Sequence, residues 1–325
     1  MSVLTAARWL AVLAATATGV AGAAAILSQA GSGAQPWDPE LSDNFVFMKA
    51  IPFLLALGVA LGLVRHRAAR RSERRPSDGA IRRFSPGTVA WHWIITVGFL
   101  LALPTGVWQY LGGILDVSAP VPLYLFYRVH YVGAGVILLA LASFVTYWWL
   151  NGERSLLVPR GQWRRHLAGL AHELPRRLGA PLAKRLGIDL TQTPPETGKF
   201  TFYEKVVEFP WWSVAIGLIT VTGLVKAMRY AYPVPGPVLY WASTLHVAAM
   251  VLLVLKVLDH LRYTLERWPL VTAMVSTWLG EGYVRLRHPA WYRTIEGPAM
   301  RPGPRAGGAG ASERAPAALS LGRDQ

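Results

Sequence analysis

Four of the chain's eight histidines, His92, His130, His246 and His260, fall within or at the ends of long apolar runs. An ionisable side chain in a lipid-spanning helix costs free energy unless it faces protein and has a partner, so a chemical use is the default reading of each. Neutral imidazole is a good ligand for iron, and haem is an apolar disc whose propionates alone need polar company, so a helix bundle buries it at low cost. His246 and His260 are fourteen positions apart. That is nearly four helical turns and puts both rings on one side of a helix, about 21 Å apart along its axis. One helix can thus ligate two stacked cofactors. Two axial histidines leave iron no open position, which favours electron transfer over oxygen binding or substrate chemistry.

The elements that must position these rings are apolar runs over residues 3–27, 47–64, 88–107, 123–150, 209–225 and 238–257. Each is close to the roughly 20 residues that cross a bilayer as a helix. With 53% apolar residues and 14 tryptophans in 325, the composition fits a membrane protein better than a soluble domain. No alternating pattern points to a lipid-facing barrel. The expected fold is all-α, a polytopic bundle with a four-helix core for two haems and one or two extra N-terminal transmembrane helices. Residues 1–30 read equally as a signal peptide or a first transmembrane helix. Residues 31–80 supply an extra helix and a basic loop, 81–297 the dihaem domain, and 298–325 a Gly-, Ala-, Pro- and Arg-rich tail expected to be disordered.

The net charge of +15 is concentrated in alternate connections. Residues 65–83 carry eight arginines, and 151–208 are also strongly basic, whereas 108–122 hold only Asp116 and 31–43 only Asp38, Glu40 and Asp43. Such segregation places the basic connections in the cytoplasm. It argues against nucleic-acid binding. Depth then pairs the histidines. His92 starts an outward span and His260 ends an inward one, so these two meet near the inner face; His130 and His246 meet near the outer face. Arg82, Arg83 and Arg262 at the inner level and Arg128 at the outer are candidate propionate contacts. Gly106, Gly133, Gly135 and Gly223 admit either a macrocycle or a neighbouring helix.

The chain has no cysteine, which excludes an iron–sulfur cluster, thiolate-bound zinc and covalently attached haem. Residues 161–186 space apolar side chains as a helix lying on the inner lipid surface would, with a solvated connector as the alternative. His66, His166, His172 and His288 lie in polar segments and are expected to be solvated. His172 lacks a second histidine at zinc-protease spacing. No internal repeat stands out.

Several motifs resemble the gamma subunit of respiratory formate dehydrogenase, the cytochrome b556 family, over residues 81–297. They are Arg83-Phe84-Ser85, Trp91-His92-Trp93, Pro104-Thr105-Gly106, Arg128-Val129-His130, Gly198-Lys199-Phe200 through Glu204-Lys205, Thr222-Gly223, His246 with His260, and the closing Arg287-His288-Pro289-Ala290-Trp291-Tyr292. The resemblance implies two haem b groups with the same histidine pairs and a quinone reduced near the inner face. It also implies iron–sulfur and molybdopterin subunits as electron-supplying partners. Thr201 and Glu204 stand where that family places an Asn and a Gln at the quinone. Glu204, Asp259 and Lys256 lie at the inner level as a candidate proton site, although a snorkelling lysine paired with an acid reads the same way. The same module serves thiosulfate reductases, hydrogenases and multihaem cytochromes, and a haem-free transporter or sensor is the rival from another class.

Overall fold

The computed structural model describes residues 42–71, 79–115, 123–151 and 154–296, with short helical pieces between 9 and 17. Most of the first apolar run, the connection at 31–41 and the tail from 298 lie outside the described residues. In chain order come α1 (Ser42–Arg71), β1 (Ala80–Arg82), α2 (Pro86–Leu115), α3 (Leu123–Asn151), α4 (Trp163–Glu173) and α5 (Arg176–Leu186). A π-helical turn, Glu204–Glu208, then runs into α6 (Phe209–Met228), followed by α7 (Gly236–Leu265), α8 (Trp268–Ser276), β2 (Trp278–Gly280), α9 (Glu281–Arg287) and α10 (Pro289–Glu296).

Among the described residues five stretches are long and apolar enough to cross a membrane: Val46–Arg67, Pro86–Leu115, Leu123–Asn151, Glu204–Met228 and Gly236–Leu265. The chain is therefore an all-α polytopic membrane bundle. Leu100, Val214, Val221 and Leu258 are each more than half exposed on these helices, as lipid-facing residues are.

Small residues bring the spans together. α3 packs against both α1 and α2, and α6 packs against α7. A side chain at Gly58 or Gly62 would strike α3, its Cβ lying 2.5 Å from the Leu139 carbonyl oxygen or 2.6 Å from Thr146 Cβ. Gly133 fits against the Ala102 nitrogen and the Gly98 carbonyl of α2. Of the two readings for Gly133, close helix approach is the one observed.

The basic end carries a compact cap. β1 and β2 pair antiparallel, with Ile81 opposite Leu279. Ile81, Leu170, Phe202, Tyr203, Tyr263, Leu270, Leu279 and Val284 form one buried cluster. The starts of α2 and α6 and the end of α7 are thus tied to one level. Residues 161–186 form two helices here, because Leu174 is extended ahead of Pro175, as a residue before proline prefers. Leu170 and Leu174 turn into the cap cluster, so that part of the apolar stripe is covered by protein.

Gly58→Leu is expected to lower thermal stability by about 1–3 kcal/mol, the usual cost of overpacking a close contact. Gly217→Leu, at a site with open space around its α-carbon, should leave the unfolding temperature unchanged.

Candidate cofactor sites

His92 sits in the second turn of α2 between two anchored tryptophans. Trp91 Nε1 donates to the Ala140 carbonyl of α3 at 2.7 Å, and Trp93 Nε1 donates to the Met274 carbonyl of α8 at 2.8 Å. These bonds fix the rotation of α2 and turn His92 toward α7. There its ring faces that of His260, the centroids 6.3 Å apart and the planes inclined by 43°. Two metal–imidazole bonds of about 2 Å, plus the depth of each ring behind its nitrogen, place facing imidazole centroids about 6 Å apart. The pair therefore has the separation that one iron requires.

At the other level, His130 on α3 and His246 on α7 lie within electrostatic range of each other. Each is held by the helix next to its own, in the same way. His130 Nδ1–H donates to the Ala102 carbonyl at 2.9 Å, with Thr105 Oγ1 at 3.3 Å. His246 Nδ1–H donates to Thr222 Oγ1 at 3.0 Å, with the Ile219 carbonyl beside it. Both threonines return their own protons to the backbone a turn earlier, at Leu101 and Leu218. The next residue in each case is a glycine: a Cβ on Gly106 or Gly223 would come within 3.1 or 3.2 Å of the imidazole. The shared frame is Leu-Xaa-Xaa-Xaa-Thr-Gly, at Leu101–Gly106 and Leu218–Gly223, a local repeat that the expectation of no repeat overlooked. With Nδ1 protonated and bonded, the Nε2 lone pair is left for a metal.

Among the described residues no group of three or more His, Cys, Asp or Glu is set to hold a bare metal ion. Pairs of imidazoles suit a metal whose other ligands come from a macrocycle. The donor set, the inner spacing and the glycine floors of the outer site fit haem.

The arginine candidates are largely engaged elsewhere. Arg83 is buried and gives both Nη2 contacts to Glu204, at 2.9 and 3.2 Å, while Nη1 approaches His288 Nε2 at 3.3 Å. Arg82 lies over the Trp278 ring, Arg128 is exposed over Tyr124, and Arg262 bonds Asp259 and Glu266. Near the outer pair the structure adds a cation absent from the expected set. Lys226, one turn beyond Thr222, is half-buried and within electrostatic range of both histidines. Its i+4 offset from Thr222 is the signal that marks the shared face.

Thr201 and Glu204 make a capping box: Thr201 N–H donates to Glu204 Oε2 at 2.7 Å and Glu204 N–H to Thr201 Oγ1 at 3.1 Å. Thr201 also meets the Tyr263 hydroxyl. Asp259 accepts from Tyr203, Lys256 and Arg262. Behind it stands Glu208, within the connector in the sequence reading, whose Oε1 lies 2.9 Å from the ammonium of fully buried Lys256 and whose Oε2 lies 3.7 Å from His260 Nδ1.

Three of the four histidines expected to be solvated are buried. His66, His166 and His288 are 2%, 5% and 1% exposed, while His172 is half-buried. His66 lies within the long helix α1, against Trp9. His166 faces Phe202 and donates to the Gln162 carbonyl. His288 donates from Nδ1 to the Gly198 carbonyl at 2.8 Å. For His166 and His288, polar neighbours in sequence misled because the cap folds those segments inward.

A family model described as prokaryotic cytochrome b561 matches residues 83–276, a stretch that contains all four span histidines. No curated protein matches the chain.

Burial, and then the Arg83 guanidinium, hold His288 below the ordinary histidine value of 6.5; burial does the same at His166. Both favour the neutral ring when folded, so the cap keeps its stability above that value and loses it as the pH falls below about 6.5. Hydrogen-exchange protection over residues 281–296, corrected for the intrinsic slowing of amide exchange at lower pH, is expected to fall between pH 7.5 and 5.5. Unchanged protection across that range would mean that neither ring matters to the cap.

Proposed function

The chain belongs to the prokaryotic cytochrome b561 family, and from that premise we propose that it relays electrons across the membrane between a peripheral redox partner at the outer face and a quinone at the inner face. The family makes it a multi-pass haem b protein of the bacterial inner membrane. The formate dehydrogenase-like complex, with iron–sulfur and molybdopterin subunits as donors, is the parent assembly we infer from the motif resemblance. The observation that carries the reading is the pair of imidazole clamps at two levels, one of them spaced at 6.3 Å between ring centroids.

Haem b supplies a one-electron couple at each level when bound. The chain's own residues do the rest. His130 and His246 would hold the outer group, oriented by Thr105 and Thr222. His92 and His260 would hold the inner one, oriented by tryptophans and by the cap. Both α7 histidines lie on one helix, which would fix the spacing of the two groups. Two imidazole ligands would leave iron no position for small molecules. Each electron moved inward works against the membrane potential at about 2.3 kcal/mol per 100 mV, so proton uptake from the inner side conserves that energy. Asp259, partly exposed and bonded to the Tyr203 hydroxyl, is the acid closest in sequence to the inner clamp and our candidate for proton delivery to the quinone.

Reduced-minus-oxidised spectra of the purified chain should show a b-type alpha band and about two haems per chain. His92→Ala and His260→Ala should each lose the inner haem, His130→Ala and His246→Ala the outer one, halving the haem content and stopping quinone reduction. A colourless protein made with ample haem would refute the reading. Co-purification from the native membrane identifies the donor, a molybdopterin subunit supporting the formate dehydrogenase-like assembly and a multihaem cytochrome overturning it.

A further inference from the structure

The two clamps are not built alike. At the outer level both Nδ1 atoms face neutral backbone carbonyls and threonine hydroxyls. At the inner level His260 Nδ1 is buried without a hydrogen bond, and the polar group it faces is the Glu208 carboxylate, 3.7 Å away.

Glu208 is held in place from two sides. Trp212 Nε1 donates to its Oε2 at 3.1 Å, and the Lys256 ammonium stands 2.9 Å from its Oε1. Lys256 is itself 0% exposed and also bonds Asp259 at 2.5 Å. The Trp212 ring meets His260 edge to face, centroids 5.8 Å apart. Glu208 closes the π-helical turn. The wider turn changes the angle at which its last residue leaves the helix axis, a feature often found at functional sites. A carboxylate on the buried side of a membrane helix, fixed by a buried cation and an indole, is expensive to keep for packing alone.

We propose that Glu208 is a positioning residue for the inner haem, its carboxylate accepting the His260 Nδ1–H and making that imidazole a stronger electron donor to iron than any ligand at the outer level. The proposal rests on the reading of His92 and His260 as an iron clamp. Ligation at Nε2 acidifies the Nδ1–H, and a modest ring rotation closes the 3.7 Å gap to a charge-assisted hydrogen bond. Negative charge shared onto the ring stabilises ferric over ferrous iron. The inner haem is thereby held at a lower potential and is a stronger reductant for the electron acceptor beside it. Lys256 limits the effect by sharing the carboxylate. The outer rings, bonded to neutral oxygens, lack this influence.

The test is a redox titration of the full-length haem-loaded chain in lipid nanodiscs, followed by electron paramagnetic resonance. Glu208→Gln preserves shape and an acceptor oxygen while removing the charge. It should leave two haems bound, shift one midpoint potential to more positive values, move the low-spin signal of that same haem, and leave the other haem unchanged. Unshifted potentials and signals in that variant overturn the proposal. The unmodified chain gives a reading that needs no variant: near-infrared magnetic circular dichroism should show two distinct ligand-to-iron bands, the inner one at higher energy. Two coincident bands also overturn it. Failure of the underlying clamp looks different, as absence of bis-imidazole signals from the unmodified chain.

Discussion

A histidine placed in hydrocarbon needs a partner for its ring nitrogens, and the fold answers that demand differently at its two levels: Nδ1 is hydrogen-bonded in His130 and His246 and buried without a hydrogen bond in His92 and His260. With one nitrogen proposed to bind iron, only the other is left for the protein to occupy or shield. At the outer level a helix supplies a carbonyl, a threonine and a glycine in fixed order, and does so twice: Ala102, Thr105 and Gly106 for His130, Ile219, Thr222 and Gly223 for His246. The threonines can accept because their own protons are already given to Leu101 and Leu218. The glycines are needed because any side chain there would press on the imidazole. Close packing of α2 on α3 through Gly98 and Gly133 keeps donor and acceptor helices within reach.

The inner level is held together by charge and by a folded cap, with the Glu208 carboxylate 3.7 Å from His260 Nδ1. Arg83 joins the start of α2 to Glu204, and Glu204 caps the start of the segment leading into α6. Tyr203 reaches Asp259 on α7, and Lys256 links Asp259 to Glu208. Three chain segments that are distant in sequence are thus bound by ion pairs where the dielectric is low. Removing one partner of such a pair strands a buried charge, at a cost of about 3–5 kcal/mol. The cap therefore sets the depth at which His92 meets His260, while the aliphatic contacts only bring the helices near.

Much of this was legible in the sequence. The spans were readable because lipid imposes long apolar runs, and the helices extend past those runs where polar residues continue the same turns, as at Pro86 before the run starting at 88. The fourteen-residue offset on α7 and the alternation of charged connections were enough to pair the histidines by depth. Glu208 was not legible, since it falls one residue before the apolar run at 209 and becomes part of the clamp only through the π-helical turn. The burial of His166 and His288 was hidden for a similar reason: their neighbours in sequence are basic, but their neighbours in space are Phe202 and the Gly198 carbonyl. The threonine–glycine frame was visible as two fragments, and its meaning needed the adjacent helices.

The central claim is that two irons sit between imidazoles from α2, α3 and α7, and anomalous scattering at the iron edge from crystals of the haem-loaded chain tests it most directly. The account predicts two peaks, one between His92 and His260 and one between His130 and His246, separated by about 21 Å along α7. A single peak, or peaks lying away from either imidazole pair, would contradict it.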